Sequence, residues 1–159
     1  MGDDTTPRPM ANLLSAVREG QATVEMKPED FVYIDRDCEY FKRLIRRIQG
    51  IAEQVSRQDS WGLGETTAKM VSGQTVVGRF KQKAKQVGDG NSNDVYTILE
   101  QHYKIVEDLQ EVHKSARDRM MQADSNFAAE FTRLNDTLPD RPPAQLPAGP
   151  YLLPDGTGR

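Results

Sequence analysis

Two tyrosine–carboxylate pairs have the residue types and spacing of a recognition surface. Tyr96 is followed four residues later by Glu100, and Tyr103 in the same way by Glu107. Side chains four apart on a helix are neighbours, and the seven-residue offset places both pairs on one stripe. A rigid amphipathic ring beside a carboxylate suits protein binding. The alternative is ordinary helix-boundary residues, because the same spacing also occurs at other tyrosines of this chain.

A second candidate is a calcium loop over residues 89–100. Counted from Asp89, oxygen-bearing residues fall at positions three, five, nine and twelve of an EF-hand loop, namely Asn91, Asn93, Thr97 and Glu100. Position six is Asp94, where the sharp turn of that loop requires glycine. The competing interpretation is a polar turn rich in helix caps, which uses the same residue types.

No other set of residues predicts catalysis or a metal centre. His102 and His113 lack accompanying carboxylates, and we expect them at a bundle boundary. Cys38, the single cysteine, is expected to be an inert core thiol. No phosphate loop, nucleophile elbow or zinc spacing occurs. The sequence therefore predicts a protein that is not an enzyme and has no cofactor, metal or small-molecule substrate.

Composition favours one lean helical domain. The chain has 159 residues, of which 36% are apolar and 28% charged, with a net charge of -3. That charge is too small to predict a nucleic-acid or membrane partner. The first helix has a basic side that is expected to be a solvated face, formed by Lys42, Arg43, Arg46 and Arg47. The weaker alternative is a nucleic-acid site that combines the three arginines with Lys81, Lys83 and Lys85. No apolar run reaches the roughly 20 residues of a membrane span, and no cleavable signal peptide is expected.

Three long helices are predicted, over residues 28–58, 65–87 and 93–134. The first carries apolar residues at steps of three and four, and we expect them to form a buried seam: Phe31, Ile34, Cys38, Phe41, Ile45, Ile48, Ala52 and Val55. Leu44 and Ile51 widen that stripe towards a second neighbour. The predicted fold is all-α, an antiparallel helical hairpin or a three-helix bundle over 28–135, and the short second helix favours the bundle. Residues 1–27 are expected to be flexible with at most a short helix, and the proline-rich residues 136–159 to be a disordered tail.

The turn between the first two helices contains the single tryptophan. Trp61 is followed by Gly62 and Gly64, whose backbone freedom allows a helix to end and reverse within a few residues. We expect the indole to cap the tip of the hairpin.

These features resemble the WXG100-type substrates of actinobacterial type VII (ESX) secretion and their larger relatives. The resemblance covers roughly residues 28–110: a heptad helix, Trp61-Gly62 at the turn, and Tyr96/Glu100 or Tyr103/Glu107 on a later helix. It implies hairpins that pair into a four-helix bundle, a cytoplasmic protein that is exported without a cleaved signal, and a secretion ATPase that reads the turn and the tyrosine motif together. It departs from the family in its glycine spacing, its length and the break at residues 88–93.

The function expected from the sequence is non-enzymatic. The chain is interpreted as a secretion-associated protein that assembles through its helices with itself or with a similar partner. The alternatives are the calcium-responsive module over 89–100 and a general helical scaffold or adaptor.

Overall fold

The computed structural model describes residues 10–21, 26–86 and 93–140 of the chain. These residues form helices and connecting turns, without a strand, so the prediction of an all-α fold is confirmed. The helices, in chain order, are α1 (Ala11–Arg18), α2 (Pro28–Arg57), α3 (Val71–Ala84), α4 (Val95–Ala123) and α5 (Ser125–Thr137). Most of the predicted flexible ends, and part of the 88–93 break, lie outside the described residues.

The 30-residue α2 is the axis of the fold and matches its predicted bounds within one residue. Pro28 occupies the first turn, where its missing N–H is not needed. The Asp30 carboxylate accepts a hydrogen bond from the Lys27 backbone N–H at 3.1 Å and closes the helix start. Helix α4 packs antiparallel along α2, because its start lies near Gln49 and its later turns near Asp35.

The returning arm of the hairpin is broken, so the structure follows the hairpin form of the predicted fold with a return arm in two pieces. Helix α3 pairs with the end of α2, since Lys85, which follows α3, bonds Glu53, and Phe80 stacks on Trp61. Helix α4 takes over further along α2 and has little contact with α3. The two therefore run end to end along one side of α2, joined by the bond from Lys83 to the Asn93 carbonyl (3.1 Å).

The predicted second helix begins six residues late. Its expected start, Glu65, lies in a series of turns in which Thr67 N–H bonds the Gly64 carbonyl and Met70 N–H bonds the Thr67 carbonyl. The Glu65 side chain accepts bonds from this turn, so residues 65–70 are used to close it. The helix itself covers Val71–Ala84 and not 65–87.

The predicted third helix is two helices. Asp124 has extended backbone angles, and its carboxylate accepts hydrogen bonds from the N–H groups of Asn126 and Phe127, as an N-cap does. The chain turns there, and α5 folds back beside the start of α2, where Phe127 meets Phe31 edge to face with ring centroids 5.9 Å apart. Arg36 then donates to the carbonyls of Asn135 and Leu138 at 2.9 Å each and holds the far end of α5.

The short N-terminal helix α1 covers α4. Leu14 and Val17 of α1 and Val112 of α4 form a buried apolar cluster. Arg18 pairs with Glu111 at its edge. Helix α1 thus covers part of an apolar side of α4.

Candidate functional site

The Trp61 turn has the geometry expected of a hairpin tip. Gly62 and Gly64 have φ angles of 69° and 78°, a region that side-chain-bearing residues rarely adopt. The indole stacks on Phe80 of α3, with ring centroids 5.8 Å apart and planes inclined by 19°. Its Nε1–H donates to the Gln58 carbonyl at 3.1 Å. Trp61 therefore joins the end of α2 to α3, and its ring stays partly exposed.

Glu65 closes this turn, a role that the apolar spacing and the glycines of the sequence do not predict. Its carboxylate accepts the backbone N–H groups of Trp61 (2.5 Å) and Leu63 (2.9 Å) and so bridges the reversal. The bond from the Trp61 N–H is the main cause that lowers the pKa of Glu65. A glutamate four residues after the tryptophan, in a glycine-rich turn, is a signal that could have identified it.

The tyrosines of the predicted recognition stripe pack against cations. The Arg46 guanidinium lies 3.8 Å from the centre of the Tyr103 ring, and Lys85 Nζ lies 4.1 Å from that of Tyr96. Both rings, and Glu107 as well, are half-buried. The stripe therefore belongs largely to the contact between the hairpin arms.

Glu100 is the centre of that contact. Its carboxylate accepts from Arg46 at 2.5 Å and from Gln49 Nε2 at 2.9 Å. Gln49 is only 2% exposed and also donates to the Tyr96 carbonyl at 3.1 Å. A partner that bound Tyr103 and Glu100 together would have to displace Arg46, which contacts both side chains.

The described part of the candidate calcium loop is used in other contacts. Asp94, at the position that needs glycine, is the N-cap of α4 and accepts from the Thr97 backbone N–H at 2.9 Å. The Asn93 carbonyl accepts from Lys83, and Glu100 is bonded across to α2. Asp89 and Asn91 lie outside the described residues. Across the described ranges, no group of three or more histidine, cysteine, aspartate or glutamate residues is placed to hold a metal ion.

Acid is expected to weaken the contact around Glu100. Burial alone raises the pKa of Glu100, but hydrogen bonds from Gln49 and Arg46 outweigh it and hold that pKa below its ordinary value. A carboxyl with a lowered folded-state pKa contributes stability above its unfolded pKa and loses it as pH falls. We therefore expect the urea midpoint to be constant from neutral pH to about pH 5 and to fall below it. Glu100→Gln should lower the midpoint at pH 7 and make the acid loss shallower, and equal slopes in both proteins would contradict this.

The arms of the hairpin meet through a polar strip. This strip of α2 consists of residues at steps of four and three: Asp35, Glu39, Lys42, Arg46, Gln49 and Glu53. Opposite it, Gln110 bonds Asp35 (2.7 Å), Glu39 (2.9 Å) and Lys42 (2.8 Å). Lys42 is therefore part of the contact between the arms and not of a solvated face, whereas Arg46 joins this contact with a side chain that is 47% exposed.

An apolar stripe of α2 remains uncovered beside the polar strip. Its residues follow at steps of three and four, and we call them the α2 stripe: Phe41, Leu44, Ile48 and Ile51. Phe41 and Ile51 are each 52% exposed and Ile48 is 37% exposed, although Phe41 and Ile48 were expected in the buried seam, and Leu44 between them is half-buried. The seam residues Phe31, Cys38, Ile45 and Ala52 are buried as predicted.

The apolar side of α4 also points away from α2. The residues of α4 that contact the polar strip are Tyr96, Glu100, Tyr103, Gln110 and Lys114. At 100° per residue, Ile98, Ile105, Leu109 and Val112 lie on the opposite side of the helix. Helix α1 covers Val112 on that side. Ile98, further along it, is 38% exposed.

No protein-family model, curated protein or solved structure matches the chain. None of the described helices combines the length and apolarity needed to cross a membrane.

Cys38 is buried in α2, where burial raises the pKa of its thiol. His113 Nδ1 lies 2.7 Å from the Leu109 carbonyl within its own helix, and His102 is exposed.

Proposed function

We propose that the chain is a non-enzymatic binding protein that assembles, through the α2 stripe, with a second helical hairpin. That hairpin is a second copy or a similar protein. The observation that carries the proposal is the exposure of the α2 stripe in the middle of the longest helix, while polar residues connect the arms. Monomeric proteins rarely leave large contiguous apolar surfaces open to water.

The stripe has the pattern of a helix-in-groove contact. In such contacts, apolar side chains at steps of three and four along one face of a helix pack against a second amphipathic helix. Full burial of one large apolar side chain stabilises by about 1.5–3 kcal/mol, so half-exposed residues each gain about 1 kcal/mol. The three exposed members of the stripe do not by themselves offset the cost of association. A stable complex therefore needs further apolar contacts, which Val76 and Phe80 of α3 offer with 40% and 55% exposure.

The proposed setting is actinobacterial type VII secretion. Two sequence features that resemble motifs of the WXG100 family support it. They are Trp61-Gly62 at a turn between helices and the pairs Tyr96/Glu100 or Tyr103/Glu107 on a later helix. In this setting the protein is cytoplasmic or is exported without a cleavable signal, and a secretion ATPase is a further partner. Appearance of the chain in culture medium that depends on the secretion ATPase would support this part. Absence from the medium, together with no binding to the ATPase, would contradict it.

The assembly itself is tested by molar mass in solution. Light scattering after size exclusion should give a complex for the full chain, alone or mixed with a hairpin protein encoded beside its gene. Phe41→Ser with Ile51→Ser should return the chain to monomer mass with unchanged helicity. Val71→Ser removes an apolar side chain that is 66% exposed but outside the stripe, and it should keep the complex. A monomer at all concentrations, with no complex in the mixture, would refute the assembly.

A further inference from the structure

A small cavity lies on the polar side of α2, separate from the α2 stripe. It has a volume of about 280 Å³ and is lined by Glu39, Lys42, Arg43 and Arg46 of α2 and by Tyr103 of α4. The α2 residues are spaced by three, one and three, so they gather on one side of the helix. The lining therefore brings three cations and a phenol to one opening against a single carboxylate.

Two of these cations are held in place by the framework of the hairpin. The Lys42 ammonium donates to Glu39 at 2.7 Å and to Gln110 at 2.8 Å. Burial lowers the pKa of Lys42, but the hydrogen bond and charge of Glu39 outweigh it, and the pKa lies above its ordinary value. The Arg46 guanidinium is fixed between Glu100 and the Tyr103 ring. Both groups are thus charged and preorganised at the cavity.

Arg43 is the cation of the lining that remains available. Its side chain is exposed, and within residues 10–21, 26–86 and 93–140 its guanidinium has no hydrogen bond or ion pair. A guanidinium presents a planar fork of N–H donors that matches carboxylate or phosphate oxygens. Because Lys42 is paired with Glu39 and Arg46 with Glu100, Arg43 supplies the unpaired positive charge of the site, and the other two cations lie behind it as further N–H donors.

We propose that this cavity binds a phosphate monoester. One arginine fork is sufficient to pair both oxygens of a carboxylate, whereas a phosphate monoester has a third terminal oxygen and nearly two negative charges. The Arg43 guanidinium donates to two of the phosphate oxygens, and the Lys42 ammonium or the Tyr103 hydroxyl donates to the third. The volume is close to the lower end of small-molecule pockets, about 300–1,000 Å³, so it admits a phosphate group together with the first atoms attached to it. The site is independent of the α2 stripe, so it stands or falls separately from the proposed assembly.

The test is a titration of the full chain followed by amide shifts in nuclear magnetic resonance spectra. The probes are inorganic phosphate, a phosphoserine peptide and its unphosphorylated twin, at constant ionic strength balanced with chloride. We expect saturable shifts at residues 39–46 and at Tyr103 with a phosphate-bearing probe and none with the unphosphorylated peptide. Saturation with inorganic phosphate indicates a free small anion, and saturation with the phosphopeptide alone indicates a phosphorylated partner.

Matched arginine variants separate a built site from diffuse attraction. Arg43→Gln should weaken the binding about tenfold, the loss expected for a charged hydrogen-bonding group. Arg47→Gln removes the same charge from an exposed arginine of α2 that does not line the cavity, and it should change the affinity less than about twofold at moderate salt. Equal losses in both variants, or no saturable shift with either phosphate-bearing probe, would overturn the proposal. Circular dichroism should show the same helicity in both variants.

Discussion

Gly73→Ala is expected to lower the free energy of unfolding by about 1–3 kcal/mol, the usual cost of overpacking a tight contact. Gly73 is buried in the first turn of α3, where that helix crosses the backbone of the Trp61 turn. A Cβ added there would collide with the Leu63 carbonyl oxygen and would lie 3.3 Å from the Glu65 backbone nitrogen. Backbone atoms cannot rotate away as a side chain can, so α3 must shift off the turn.

Gly78→Ala is the matched control on the same helix. No atom lies within 4 Å of a Cβ at Gly78, and alanine is favoured over glycine in a helix interior by about 1 kcal/mol. This variant should therefore be more stable than the parent protein. Urea denaturation followed by circular dichroism would measure both changes, and Trp61 fluorescence would report the shift of its stacking on Phe80 in the Gly73 variant. Equal stability of the two variants would mean that α3 does not pack on the turn in this way.

The first helix and the turn were predictable because their signals are local. Pro28 with Asp30 marks the start of α2, and the glycines after Trp61 supply the angles that the reversal needs. The break at Asp124 was missed because Ala123 and Phe127 keep the apolar spacing across it. The spacing of apolar residues carries no information on whether an aspartate between them caps a new helix.

The candidate site was less predictable because it depends on which faces of two distant helices meet. Periodicity identified the apolar seam, and the natural expectation is that the seam joins the arms. Part of that seam is buried, but the arms are also joined through Gln49, Glu100 and Gln110, which periodicity counts as outward-facing. The pairing of Arg46 with Tyr103 is likewise a contact between residues far apart in sequence. The polar residues that recur at steps of three and four along α2 could have indicated this contact between the arms, but such a pattern is also typical of a solvated face.

Phe127→Ala is expected to have the largest effect on stability, a loss of up to about 3–5 kcal/mol. Phe127 is 9% exposed and Phe31 is 3% exposed, and their edge-to-face contact attaches α5 to the start of α2. Arg36 holds only the far end of α5 through backbone carbonyls. Without the ring at 127, α5 can detach while α2 and α4 stay paired. The loss is then limited to the free energy with which α5 docks, and hydrogen exchange should accelerate over residues 125–137 first.

Phe41→Ala makes the same substitution on α2 at a ring that is 52% exposed, and it separates folding from assembly. At concentrations where the chain is monomeric it should cost less than about 1 kcal/mol, because little buried surface is removed. Phe41→Ala should also weaken any complex formed through the α2 stripe. Phe127→Ala should weaken that complex only to the extent that it increases the fraction of unfolded chain. If Phe41→Ala destabilised the monomer as much as Phe127→Ala, the α2 stripe would be part of the core, and its role as a binding surface would be lost.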